Sequence, residues 1–178
     1  MLATTDRPTS ITIGNAAPPR FAQDQQTRTW VLSEHAPDSP SREQLLTYAQ
    51  QRIASLTAAT SPAVAVGWKP VHSAVATFAM SLLTVIINDG DLATPQVAPT
   101  PEGGLDIEWL VSGDSLELTV DLEDGVSISG LWDSGEHAFK PVDWEFEESV
   151  DTLVPALVAA RTFLAKISTG IQQRFQIR

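Results

Sequence analysis

Apolar and polar positions alternate most cleanly between Leu105 and Leu122. Leu105, Ile107, Trp109 and Val111 fall on one face, Asp106 and Glu108 on the other. That period of two belongs to a half-buried strand. Leu116, Leu118, Val120 and Leu122 repeat it against Glu117, Thr119 and Asp121. Ser112-Gly113-Asp114-Ser115 is turn chemistry. Placing Val111 opposite Leu116 puts all eight apolar residues on one face of a hairpin. The same register sets Asp106 opposite Asp121 on the other face.

The next turn holds Asp124-Gly125. A two-residue turn there would mix the faces. A three-residue loop, Glu123-Asp124-Gly125 with Gly125 left-handed, keeps them separate and pairs Leu122 with Val126 and Val120 with Ile128. Gly130 then faces Leu118, and Trp132 faces Leu116. After the turn Asp133-Ser134-Gly135-Glu136, pairing Trp132 with His137 places Phe139 over Gly130, where a ring finds room. Pro141 cannot donate to a ladder, so this last strand is expected to lie at an edge or to bend there. The pattern predicts a four-stranded antiparallel meander with one apolar face.

Three segments carry the helical period. Ser41 is a good cap for a helix over 42–58, with Leu45, Ala49, Ile53 and Leu56 as its stripe. Residues 58–66 read as a loop. A second helix is expected over 71–87, with Val75, Phe78, Ala79, Leu82 and Ile86 inward. Its Leu83, Val85 and Ile87 make it apolar nearly all round. Prolines 95, 99 and 101 then carry an extended chain to the first strand. A third helix is expected over 151–169, with Leu153, Leu157, Ala160, Leu164 and Ile167 inward and Pro155 within its first turn. Helices must cover the apolar sheet face, which makes the class α+β. The organisation expected is a flexible N-terminal arm over 1–40, one α+β domain over 41–170, and a polar basic tail over 171–178. Within the arm, 11–14 and 27–32 have the composition of short edge strands.

A length of 178 residues suits one domain with a sizeable core. There is no cysteine, which excludes disulfides and thiolate metal sites and points to a reducing compartment. No apolar run reaches the roughly 18 residues of a membrane span, and the N-terminus lacks a secretory pattern. A cytoplasmic location is expected. The net charge of −11 is unevenly spread. Residues 101–151 hold fifteen acidic residues against one basic, Lys140, while 152–178 hold four basic residues and no acid. An acidic sheet disfavours direct nucleic-acid binding. Its plainest reading is a solvated, solubilising face.

The pieces Gly67-Trp68, a helix rich in Ala and Leu, PTPEGGLDIEW through Trp109, and LELTVDLEDG from Leu116 to Gly125 resemble a bacterial family of small proteins. That family has a GWDG-type turn and a PTPDGGVQLEW-type lead into a strand, and no established activity. This chain departs from it at Lys69-Pro70, where the family has Asp-Gly. The resemblance implies the fold and leaves the function open.

Two groups of residues are candidates for function. On the outer sheet face, Asp106, Glu108, Glu117 and Asp121 would meet a basic partner. A flat face offers too few converging oxygens for a hard cation. Beside the second helix, Trp68 and the loop Thr100, Glu102, Gly103 and Gly104 would form a ligand site, since paired glycines admit close backbone approach. They equally suit a tight lead into a strand. His35, His72 and His137 show no ligand spacing, and no GxSxG, GxGxxG or GxxxxGK[ST] motif is present. No catalytic residue, metal or cofactor is expected. The reading that follows is a non-enzymatic interaction or regulatory protein with a basic protein partner. It would be antitoxin-like, a phage-defence accessory, or a nucleic-acid mimic. The alternative is a small-ligand binder or small enzyme using the Trp68 and Thr100–Gly104 region.

Overall fold

The computed structural model describes residues 40–175, with side chains through Thr169. The expected arm, with its two short strands, and the end of the basic tail lie outside the described residues.

Helix α1 (Arg42–Thr57) begins at Ser41 in a reciprocal cap. The Ser41 hydroxyl accepts from the Gln44 amide at 3.2 Å, and the Gln44 side chain accepts from the Ser41 amide at 2.7 Å. Its buried residues are Leu45, Ala49, Ile53 and Leu56, the stripe read from the period. The expected loop after it contains a single turn of helix, α2 (Pro62–Ala65). Helix α3 (Ser73–Ile86) starts at His72, whose Nδ1 accepts from the Ala74 amide at 3.3 Å. Val75, Ala79, Leu82, Leu83 and Ile86 are buried, but Val85 is exposed, so the helix keeps one outward face.

Five strands follow, not four. They are β1 (Gln96–Pro99), β2 (Leu105–Val111), β3 (Asp114–Asp121), β4 (Gly125–Leu131) and β5 (Val142–Trp144). They form one antiparallel sheet in the order β1-β2-β3-β4-β5. The added strand is the proline-flanked segment expected only to be extended. It takes an edge, where prolines are tolerated. β5 takes the other edge, as expected, but it begins only after Pro141, whereas the strand was expected from His137.

Two registers differ from expectation, each by two residues. Val111 faces Asp114 and Trp109 faces Leu116, because the first turn is only Ser112-Gly113. Both residues have positive φ, 55° and 99°, the requirement of a type I′ hairpin. In the second turn Gly125 is left-handed as expected, but the loop is Leu122-Glu123-Asp124. Val120 therefore faces Val126, and Leu118 faces Ile128. A slip of two preserves the faces. Leu105, Ile107, Trp109, Val111, Leu116, Leu118 and Val120 are all buried. The exception is Leu122, which the shorter strand leaves exposed in the turn. Further on, His137 bridges Leu131 instead of Trp132. The expected space above Gly130 is nonetheless filled by Phe139. A Cβ on Gly130 would lie 2.6 Å from the Phe139 ring and 3.0 Å from Phe163.

Helix α4 (Val150–Phe175) is longer than expected and runs into the segment read as a tail. Ser149 precedes it, its hydroxyl accepting from the Asp151 amide at 3.3 Å. Pro155 consequently sits in the second turn, past the first-turn position expected. It deprives the Asp151 carbonyl of its usual donor, at an exposed residue where solvent substitutes. α3 and α4 cover the inner sheet face and α1 packs beside α3 and β1. Trp144 stacks on Phe78, and Phe163 meets Trp132 and Phe139 edge-on. All of this leaves the other sheet face bare among the described residues.

Candidate interaction face

The strand period that buries Leu105, Ile107 and Trp109 turns Asp106 and Glu108 outward. Register then decides which neighbours they meet. Glu108 faces Glu117, and Asp106 faces Thr119. Asp106 does not face Asp121, as the longer turn would have required. The Thr119 hydroxyl donates to Asp106 Oδ1 at 2.8 Å, which orients that carboxylate. Asp121 lies at the end of β3, where its Oδ1 accepts from the Glu123 amide at 2.9 Å and shapes the turn.

Glu108 and Glu117 are different. They sit directly opposite each other, and neither forms a side-chain hydrogen bond or ion pair among the described residues. Like charges so placed destabilise a sheet by a few tenths of a kcal/mol to about 1 kcal/mol. Together with Asp106 and Thr119 they line a shallow depression of about 390 Å³. A second depression of about 400 Å³ lies further along the face. It is lined by Glu102, Asp121, Asp124 and Asp143 with Thr100, Thr119 and Ser127. Asp143 pairs across from Ser127 on β5 and belongs to this acidic surface. The sequence pattern did not place it there, because the chain bends at Ala138 and Phe139 and resets the parity of the last strand. No group of three acidic or histidine side chains is arranged to hold a metal among the described residues.

The Thr100–Gly104 loop is bound up in the chain itself. The Thr100 amide donates to the Gly104 carbonyl, and the Gly104 amide donates to Thr100 Oγ1 at 2.8 Å. The Lys69 amide donates to the Pro101 carbonyl, and the His72 amide to the Gly103 carbonyl. Gly103 has a φ of 92°, and a Cβ there would lie 2.9 Å from the Pro70 carbonyl oxygen. A Cβ on Gly104 would lie 2.6 Å from Asp121 Oδ2. The paired glycines thus let backbone approach backbone at the lead into β2. Trp68 is partly exposed and is not in the lining of the depression that includes Thr100 and Glu102.

Lys69 Nζ donates to Glu102 at 2.6 Å in an exposed ion pair. The hydrogen bond and the charge of Glu102 hold the Lys69 ammonium above its ordinary value of 10.5. Its contribution is complete below that value and is lost only as pH rises through the raised one. At this exposure the pair contributes little.

No family model, curated protein or solved structure matches this chain. No described helix is long and apolar enough to cross a membrane.

Proposed function

We propose that the outer sheet face binds a basic surface on a protein partner, and that the chain acts by this contact and not by catalysis. The observation that carries the reading is the unneutralised pair Glu108 and Glu117 at the middle of a bare sheet face. Asp106, Asp121 and Asp143 extend the charge around it. A carboxylate pair that costs stability and has no internal partner is suited to an external one. The β1 edge is blunted, which favours the face over that edge as a binding surface. Pro95 precedes β1 and Pro99 ends it, and the Arg52 side chain donates to the Val97 carbonyl at 3.1 Å. A cytoplasmic regulatory role of the antitoxin or phage-defence kind fits such a contact, as does imitation of phosphates toward a DNA-binding enzyme. The likeness of the PTPEGG and EW segments to the bacterial family fits the fold in which this face arises. The test is a pull-down from native lysate with the wild type and with Glu108→Lys/Glu117→Lys, washed at low and at high salt. The reading expects a basic protein held by the wild type, released by salt and lost by the variant. Equal recovery by both baits would sink it.

A further inference from the structure

The turn between β3 and β4 separates two depressions of opposite character. On the sheet side lies the acidic one, of about 400 Å³, lined in part by Asp121 and Asp124 at the two ends of the turn and by Asp143 of β5. On the helix side lies an apolar groove of about 570 Å³, walled by Phe78, Leu122 and Phe146 and closed by Thr77 and Ser81 of α3. Leu122 is the immediate neighbour of Asp121, and Phe146 follows Asp143 closely. One short segment of a ligand therefore touches both depressions by crossing the turn.

The apolar groove is formed in advance. Phe146 packs edge-on against Phe78, with 5.3 Å between ring centroids, and against Trp144 at 5.5 Å. Trp144 is buried, and its Nε1–H donates to the Ser149 carbonyl at 3.2 Å. Leu122 is positioned by the turn that Asp121 Oδ1 shapes. The hydroxyls of Thr77 and Ser81 donate to their own helix, so the α3 wall presents mainly carbon. Leu122 and Phe146 nevertheless stay 46% and 41% exposed.

The rim decides what fits. Exposed Glu123, Glu145 and Glu147 adjoin Leu122 and Phe146 in sequence. Neither they nor Asp121, Asp124 and Asp143 form an ion pair among the described residues. Their field reaches Lys69. Its ammonium is raised first by Glu102, and then by Glu123 and Asp121, with which it makes no ion pair. An anionic ligand would be repelled by this rim, and an uncharged one would gain nothing from it. A cation beside a bulky apolar group satisfies both depressions at once. We infer that they take a peptide segment of a partner in which a bulky apolar residue adjoins lysines or arginines. The apolar side chain seats among Phe78, Leu122 and Phe146, and the cations reach across the turn to Asp121, Asp124 and Asp143. This extends the reading of the sheet face as a site for a basic partner, on which it rests for the sign of the charge, and adds the apolar half of what is recognised.

The test is selection from random displayed peptides of about twelve residues, long enough when extended to span α3. The immobilised full chain is the bait, and fluorescence anisotropy then gives the affinity of the selected peptide. Selected sequences should share a bulky apolar residue within a few positions of a cluster of lysines or arginines. Leu122→Ser should weaken the peptide at least tenfold. Asp124→Asn/Asp143→Asn should do the same at low salt and less at high salt. The circular dichroism melts should be unchanged. Glu108→Lys/Glu117→Lys, away from the turn, should change the affinity less than about threefold at physiological salt. No enrichment, enrichment of apolar peptides without basic residues, or a selected peptide indifferent to Leu122→Ser would each overturn the inference. Any of these leaves a salt-sensitive pull-down through Glu108 and Glu117 standing. A pull-down that fails while the selected peptide binds as described supports the inference and confines binding to the turn.

Discussion

The outer sheet face and the outward face of α3 are both exposed, and both are rich in serine and threonine. They use those residues in opposite ways. On the sheet, the Thr119 hydroxyl donates to Asp106 and steadies a charge that faces solvent. On α3, Thr77, Ser81 and Thr84 donate to their own helix and mute a polar surface. Exposure alone does not define a surface. The direction in which its hydroxyls donate separates a wet, charged face from a dry one.

The two faces share one core, and the largest expected effect comes from removing what lies beneath both. Trp109 is fully buried on β2. Trp109→Ala should cost about 3–5 kcal/mol in denaturant unfolding and weaken partner binding with it. A loss below about 1 kcal/mol would mean the faces do not depend on a common core. Next comes the separation of the faces. Glu108→Lys/Glu117→Lys should lower partner affinity at least tenfold, about 1.4 kcal/mol, while binding of the peptide selected on the α3 groove stays close to that of the wild type. Equal damage to both properties would merge the surfaces into one. A smaller change acts on α3 alone. His72→Asn supplies a better capping side chain and should raise stability by about 0.5 kcal/mol, read from the thermal midpoint, with partner binding unchanged. The smallest effect tests the charge pair. Glu117→Gln should stabilise the fold by a few tenths of a kcal/mol at low salt, and the gain should vanish at high salt. A persistent gain would assign it to packing.

Much of this was legible in the sequence, and the gaps have physical causes. Strand parity survives a register error of two, so the inner face was read from Leu105 through Val120 while every cross-strand partner was displaced. The cause was a two-residue turn with a serine in a left-handed conformation, which the composition of Ser112–Ser115 does not distinguish from a longer loop. That displacement matters most for the candidate face. It hid the opposition of Glu108 and Glu117 and suggested Asp106 and Asp121 instead. β1 was masked by its prolines, which mark an edge strand as readily as a linker. The outward face of α3 was out of reach, because a helix of such hydrophobicity implied burial on two sides, while Val85 and the Ser73, Thr77, Ser81 and Thr84 ridge are exposed.

The central claim is that the sheet face recognises its partner through charge. The most direct measurement is the affinity for the recovered basic partner over a series of salt concentrations, for the wild type and for Glu108→Lys/Glu117→Lys. The account predicts a steep loss of affinity with salt for the wild type and a nearly flat response for the variant, with the two converging at high salt. Parallel slopes, or a wild-type affinity indifferent to salt, would contradict it.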